Sequence, residues 1–137
     1  MTKVILIYPK FPVAFKVNLP IGLLHLGTYL KNNGVSVKLI DCTVEANYKE
    51  LIAQEIKDAS CVGISVMTAQ IPHTRELLSF IKDELKSSVP VVLGGVHPTL
   101  YPSQTIAENF VDYVVVGEGE LTFLKFLGST QPALRQS

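Results

Sequence analysis

The stretch VPVVLGGVHPTLYP, residues 89–102, decides how this chain is expected to fold. Its run of β-branched and apolar residues from Val91 to Leu93 predicts a short buried strand. Gly94 and Gly95 end that strand abruptly. Adjacent glycines at a strand end indicate either a tight backbone turn or a group that approaches the backbone closely. The rest of the sequence indicates which group could approach the backbone here.

Four further segments predict strands, at residues 4–8, 35–40, 61–66 and 112–117. Helical patterns or helix-start signals alternate with them, at residues 20–33, from residue 47, at 72–86, at 103–109 and from residue 120. This alternation favours a parallel sheet covered by helices on both faces. Right-handed crossovers then predict a doubly wound, five-stranded α/β fold with strand order 2-1-3-4-5, or alternatively the dinucleotide-binding order.

The composition indicates a single domain and excludes several partners. The chain has 137 residues, 47% of them apolar, and Lys plus Arg balance Asp plus Glu at 12 each. No excess charge therefore favours a nucleic acid or an anionic membrane surface. No apolar run reaches the roughly 20 residues of a spanning helix, and no signal peptide is recognisable. Cys42 and Cys61 are expected to be reduced packing residues of a cytoplasmic protein, with Cys42 partly exposed.

Ligands of such folds bind at the carboxyl ends of the strands, near the point where the strand order reverses. The loops expected there are rich in glycine and hydroxyl groups: SVMTAQIPHT (65–74), GGVHPT (94–99) and GEGE (117–120). The longer loop PKFPVAFKVNLPIG (9–22) is expected to form a wall of the site. The sequence contains no dinucleotide fingerprint after the first strand, phosphate-binding loop, metal-ligand spacing or nucleophile elbow. It therefore predicts no catalytic and no metal-binding residue.

The three histidines have different expected positions. His25 lies within an apolar helical segment and, like its neighbour Leu24, is expected to pack on the inner side. His73, early in the third helical segment, is expected to face solvent or the adjacent loop. His97 lies beside Gly95 and is the histidine best placed to contact a ligand.

Four segments together resemble a known family: LPIGLLHLGTYLKNNGVSVKLID (19–41), CVGISVMT (61–68), VPVVLGGVHPT (89–99) and YVVVGEGELTF (113–123). In this order and spacing, over about residues 3–127, the chain resembles the N-terminal cobalamin (B12)-binding domain of cobalamin-dependent radical SAM enzymes. The resemblance implies a flavodoxin-like domain that holds the corrin over the carboxyl edge of the sheet, with the nucleotide tail running down beside it. The paired glycines would then give a large cofactor room to approach.

The resemblance also implies which residues contact cobalamin. Ser65 and Thr68 would meet the nucleotide tail or its phosphate, residues 96–98 would line the tail's pocket, and residues 117–119 would flank the dimethylbenzimidazole or ribose. The full set of implied cofactor-binding residues is Ser65, Met67, Thr68, Gln70, Gly94, Gly95, Val96, His97, Pro98, Gly117, Glu118 and Gly119.

This sequence lacks two motifs that are found in related proteins, and each absence limits the function that is expected. The chain has no D-x-H-x-x-G, whose histidine replaces the base on cobalt in methionine-synthase-type modules. Cobalamin is therefore expected to bind base-off with no histidine on the metal, its lower face open or facing a side chain such as Gln70 or Met67. Two cysteines and no C-x-x-x-C-x-x-C mean that the chain cannot hold the iron–sulfur cluster of a radical SAM barrel.

The chain is thus expected to be a cofactor-binding module that is not catalytic alone. Residues 1–127 would form the cobalamin-binding domain, and residues 128–137 a polar tail that is either disordered or the end of a truncated chain. A radical SAM barrel, in another domain or chain, would supply the iron–sulfur cluster and S-adenosylmethionine for methyltransferase-type chemistry. A homodimer through the carboxyl edge is a further expectation. The alternatives are a stand-alone domain for another nucleotide-like ligand, or a remnant of the same fold that binds nothing.

Overall fold

The chain folds around a five-stranded parallel sheet in the order β2-β1-β3-β4-β5, which confirms the expected strand order. The computed structural model describes residues 2–12, 19–117 and 119–128. The strands are β1 (Lys3–Tyr8), β2 (Ser36–Asp41), β3 (Cys61–Ser65), β4 (Val91–Gly94) and β5 (Tyr113–Val114). Because the strand order reverses at β1 and β3, a crevice is expected between their carboxyl ends, as in other flavodoxin-like folds.

Within the described ranges, helices follow each strand and cover the sheet. They are α1 (Ile21–Asn32), α2 (Tyr48–Glu55), α3 (Ile71–Ser79), α4 (Val96–Leu100), α5 (Pro102–Ile106) and α6 (Glu120–Leu127). A 3-10 turn extends α2, another precedes α3, and a π turn extends α3: Ile56–Asp58, Thr68–Gln70 and Phe80–Glu84. α1 and α6 pack on one face of the sheet, and α2 and α3 pack on the other. No helix among the described residues has both the length and the apolar composition to cross a membrane.

Strand β3 shows how the sequence makes the two faces of the sheet different. Side chains alternate along a strand, and Val62 and Ile64 are buried on the face covered by α2 and α3. Gly63 lies between them and points to the α1 and α6 face, where its neighbours are Leu6 and Phe123. On the face covered by α2 and α3, β3 therefore contributes large side chains. On the face covered by α1 and α6, it has no side chain at the centre of the sheet.

Three elements after the fourth strand differ from the expectation. The expected loop after β4 is the short helix α4, and the next helix begins at Pro102 and ends at Ile106. Pro98 is compatible with the first turn of α4, because an N–H there would have no intrahelical partner. β5 is only two residues long because β4, its neighbour in the sheet, ends at Gly94 and turns into α4.

Helical spacing corrects the expectation for α1. Leu23, Gly27 and Leu30 recur at intervals of three and four residues and form the buried stripe of the helix. His25 and Leu24 lie off that stripe and are exposed, so the expectation that they pack on the inner side is wrong.

Two further side chains are buried, although exposure to solvent is one expectation for each. His73 lies one turn before Leu77 on the inner stripe of α3 and is buried, not directed to solvent. Cys42 is 3% exposed, and burial together with the nearby charge of Asp41 raises the pKa of its thiol to about 12. Burial likewise raises the pKa of the Cys61 thiol to about 12. Both thiols are therefore protonated at neutral pH, as expected of packing residues.

Candidate functional site

A groove lies on the α1 and α6 face of the sheet, near the carboxyl ends of β3 and β4. Its volume is about 640 Å³, within the range of roughly 300–1,000 Å³ found for small-molecule sites. β1, β3 and β4 form its floor. Its two walls are formed on the α1 side by Ile21, Leu23 and His25, and on the α6 side by Gly119, Glu120 and Phe123.

Small residues on the strands that form the floor leave space for the groove above the sheet. Gly63 lies on β3, and Ser65, two residues further along the same face, pairs with Gly94 of β4. A Cβ on Gly94 would meet Val115 at 3.7 Å, an ordinary contact, so this position has room for a side chain that the sequence does not place there. Around Gly117, a Cβ would meet nothing within 4 Å. The groove therefore exposes backbone to a ligand, as a flat or bulky molecule requires.

Gly95 has a different reason to be glycine. Its φ is +102°, and a Cβ there would lie 3.0 Å from the backbone N of Val66 and 3.1 Å from Ser65 Oγ. The group that approaches Gly95 is therefore the chain's own backbone after β3. Of the two adjacent glycines, Gly94 leaves the groove open and Gly95 allows the turn.

Hydrogen bonds join the loops that follow β3, β4 and β5 into one rim. The His97 N–H donates to the Val66 carbonyl at 2.9 Å, and His97 Nδ1 lies 3.0 Å from Thr68 Oγ1. The Gly117 N–H donates to Thr99 Oγ1 at 2.9 Å. The edge of the groove is thus held at a fixed spacing by contacts from α4 to both neighbouring loops.

The structure brings together only part of the expected binding set. The lining of the groove includes Ser65, Gly94, Gly95, Gly117 and Gly119. Six others do not line the groove: Met67, Thr68, Gln70, Val96, His97 and Pro98. Gln70 in particular has no exposed surface. Glu118 lies outside the described residues, as do residues 13–18 of the loop expected to form a wall. As cofactor contacts, all twelve stay predictions.

Several lining residues were not among those expected. His25 and Glu120 are the titratable side chains of the lining, and they approach it from opposite walls. Gly63 belongs to the floor, and Phe123 of the α6 wall packs over it. The alternation of large and small residues in CVGISV could have indicated this face, because only small residues leave a sheet accessible beneath its helices. Glu120 belongs to the segment GEGE that the sequence predicts at this edge, but it is not among the implied cofactor contacts.

The comparison with known proteins identifies the family. Residues 14–127 match the family model described as the B12 binding domain. The chain belongs to this family. A curated relative, an uncharacterised methyltransferase of Pyrococcus horikoshii, is 34% identical over 129 residues, covering 88% of this chain and 28% of the relative.

Solved structures share the fold. The radical S-adenosylmethionine methyltransferase TsrM from Kitasatospora setae, solved with cobalamin and a 4Fe–4S cluster bound, matches with a TM-score of 0.78 at 22% identity. The cobalamin-dependent S-adenosylmethionine radical enzyme OxsB, solved with aqua-cobalamin and S-adenosylmethionine, matches with a TM-score of 0.74 at 25% identity. The match covers 93% of this chain in both cases, but 24% of TsrM and 18% of OxsB. The resemblance predicted from the sequence is confirmed, and the chain spans about a quarter or less of these proteins.

Proposed function

We propose that the chain is the cobalamin-binding module of a radical SAM enzyme of the methyltransferase type. The observation that carries this proposal is the groove, because it opens at the carboxyl edge of the sheet in a member of the B12-binding family. The corrin would lie over that edge, and the nucleotide tail would extend into the groove between α1 and α6.

The residues of the groove suit the tail of cobalamin. Leu6, Leu23 and Phe123 make its interior apolar, as an aromatic base requires, and Ser65 offers a hydroxyl near the rim. Gly94 leaves the space that a bulky tail needs. When bound, cobalamin supplies the carbon–cobalt and one-electron chemistry. The contribution of this chain is to bind the cofactor, orient it and exclude water from its buried part.

The base-off, histidine-free mode is the finer part of the proposal. The sequence has no D-x-H-x-x-G, and His73 is buried with Nδ1 accepting the Lys10 N–H at 2.8 Å. A base that occupies the groove cannot lie under the corrin at the same time. The sequence and the His73 contact, together with the proposed position of the tail, support a cobalt whose lower face has neither dimethylbenzimidazole nor histidine.

A radical SAM barrel, in another domain or chain, would complete the enzyme by supplying the iron–sulfur cluster and S-adenosylmethionine. Leu19 and Ile21, at the start of α1 beside the groove, are 68% and 60% exposed, and Leu24 is 42% exposed. Such apolar side chains form a surface that a covering domain would bury. The alternative is that a second copy of this chain covers this surface. Sedimentation of the cobalamin-loaded chain distinguishes a dimer from a monomer that requires a barrel domain.

Absorbance titration with cob(II)alamin, followed by electron paramagnetic resonance, tests the proposal. We expect saturable binding, a base-off spectrum and no nitrogen splitting on cobalt. Nitrogen splitting that disappears in His25→Ala or His97→Ala would identify a histidine ligand and overturn the histidine-free mode. Cobinamide, which lacks the nucleotide tail, is the matched control ligand and should bind about tenfold or more weakly. If neither ligand binds at high-micromolar protein, the proposed function is wrong.

A further inference from the structure

Both polar groups of one peptide bond, between Pro9 and Lys10, are held by side chains of another segment. The Pro9 carbonyl accepts a hydrogen bond from Gln70 Nε2 at 2.7 Å. The Lys10 N–H donates to His73 Nδ1 at 2.8 Å. Because a peptide unit is planar and rigid, two bonds on its opposite sides fix its orientation. We call this arrangement of Pro9, Lys10, Gln70 and His73 the peptide clamp.

The side chains of the peptide clamp are themselves fixed. Gln70 is fully buried, and its Oε1 accepts the Met67 N–H at 2.9 Å, which determines the orientation of its amide. Because His73 Nδ1 accepts a hydrogen bond, the neutral ring carries its proton on Nε2, which donates to Tyr48 Oη at 3.2 Å. The His73 and Tyr48 rings also meet edge to face, with centroids 5.2 Å apart. Each polar atom of the clamp side chains thus has a defined partner.

The peptide clamp joins the chain segments that follow β1 and β3, the two strands at which the strand order reverses. The clamped peptide directly follows β1, while Gln70 and His73 follow β3. Phe11, the next residue after the clamp, packs back onto Tyr8 on the groove face, with ring centroids 6.1 Å apart. The orientation of one peptide therefore sets where the chain leaves β1 at the edge proposed to hold the corrin.

We propose that Gln70 and His73 are positioning residues for cobalamin, and that the module binds the cofactor with full affinity only while His73 is neutral. This inference rests on the proposed function. A protonated imidazole carries N–H groups on both ring nitrogens, so Nδ1 could no longer accept the Lys10 N–H. Two donors would then face each other, and the peptide clamp would open.

Burial favours the neutral form of His73, and the charged groups around it act in both directions. Burial is the main cause that lowers the pKa of His73, and the ammonium groups of Lys10 and Lys49 lower it further, whereas Glu76 raises it. The Lys10 ammonium lies 4.8 Å from the centre of the Tyr48 ring, which holds it near the clamp. Cobalamin affinity is therefore expected to be constant near neutral pH and to fall only as the pH drops through the lowered pKa of His73, which lies below the ordinary histidine value of about 6.5.

The test is a titration of the chain with aquacobalamin at several values between about pH 5 and about pH 7. For the wild type, Kd should rise as the pH falls. The dependence of Kd on pH should correspond to a single proton taken up by the cofactor-free chain. His73→Asn supplies an amide oxygen in place of Nδ1 but does not titrate, so its Kd should stay within about threefold of the wild-type value at neutral pH and be independent of pH. His73→Leu, which has no acceptor, should bind about tenfold more weakly at every pH.

Two matched surface variants sharpen the test. Glu76→Gln removes a charge that raises the pKa of His73 and should move the loss of affinity to lower pH. Lys49→Met removes a charge that lowers it and should move the loss to higher pH. A wild-type Kd that is constant over the range in which the chain stays folded would overturn the inference. A pH dependence retained in His73→Asn, or one that merely follows unfolding of the cofactor-free chain, would overturn it as well. Failure of the wild type to bind at any pH would instead contradict the proposed function, and the inference with it.

Discussion

On the face covered by α2 and α3, β3 presents Val62 and Ile64 to a continuous apolar core, whereas on the face covered by α1 and α6 the same strand presents Gly63 and Ser65. We call the first the closed face and the second the open face. The closed face buries Ile5 completely, while the open face contains a groove of about 640 Å³. The size of the strand's own side chains, more than the presence of covering helices, thus decides which face of a sheet can admit a ligand.

The largest effect on stability is expected on the closed face. Ile5→Ala removes a fully buried side chain from the core of the closed face. The free energy of unfolding should fall by about 3 kcal/mol, because lost apolar contacts and a new cavity add. Urea denaturation measures this. Ile21→Ala, at a position that is 60% exposed on α1, is the matched control and should change stability by at most about 0.5 kcal/mol. Equal effects of the two substitutions would contradict the burial of Ile5 in the core of the closed face.

A smaller loss of stability is expected from filling the floor of the open face. A Cβ on Gly63 would lie 3.0 Å from Leu6 Cδ2 and 3.2 Å from Phe123 Cε2. Gly63→Val should therefore lower the free energy of unfolding by about 1–3 kcal/mol through overpacking. Because the displaced side chains would move into the groove, cobalamin binding should be lost in protein that is still folded. Normal affinity in this variant would show that the groove is not the binding site.

A side chain at Gly94 should separate binding from stability. Gly94 lies in β4 without positive φ, and a Cβ there meets Val115 only in ordinary contact. Gly94→Ala and Gly94→Val should both keep the free energy of unfolding within about 1 kcal/mol. Gly94→Val should weaken cobalamin binding by about tenfold or more, and Gly94→Ala by less, because the added methyl groups occupy the groove. If affinity does not decrease with side-chain size, the tail does not pass this residue.

The smallest expected effect is a pH dependence of stability that arises from the α2 and α3 side of the molecule. Because burial lowers the pKa of His73 below its unfolded value, the unfolded chain binds a proton before the folded chain does. The contribution is fully present above about pH 6.5 and is lost as the pH falls through the lowered pKa. Urea midpoints measured against pH should show this decline in the wild type and in His25→Asn, and a shallower one in His73→Asn. An unchanged slope in His73→Asn would assign the decline to other groups.

Much of the fold could be predicted because it is determined by local patterns. Short apolar strands that alternate with helices indicate the parallel sheet, and the right-handed crossover rule restricts its order. Pro20 and Gly34 are adjacent to the ends of α1, where helix signals are strong, and Gly34 has a φ of +82°. The paired glycines mark where β4 stops, but no local pattern shows that the chain then forms the helix α4 rather than a loop, or that β5 is only two residues long.

The site was predicted less completely than the fold. Ser65 and Gly94 follow from the strand ends, which the sequence marks. Phe123 and His25 come from opposite walls and meet the groove only because α1 and α6 pack side by side. His73 could have been placed correctly from its spacing to Leu77, since residues four apart share a helix face. Its role in the peptide clamp depends on a contact across 63 residues of sequence.

The proposed binding site for the tail of cobalamin is the open face of the sheet. The most direct test is to follow backbone amide signals by two-dimensional nuclear magnetic resonance while diamagnetic cobalamin is added to the chain. We expect large changes at Gly63, Gly94 and Gly117, and little change at Ile52 and Leu77 on the closed face. Saturable binding with no change at the three glycines, or with changes centred on the closed face, would contradict a binding site on the open face.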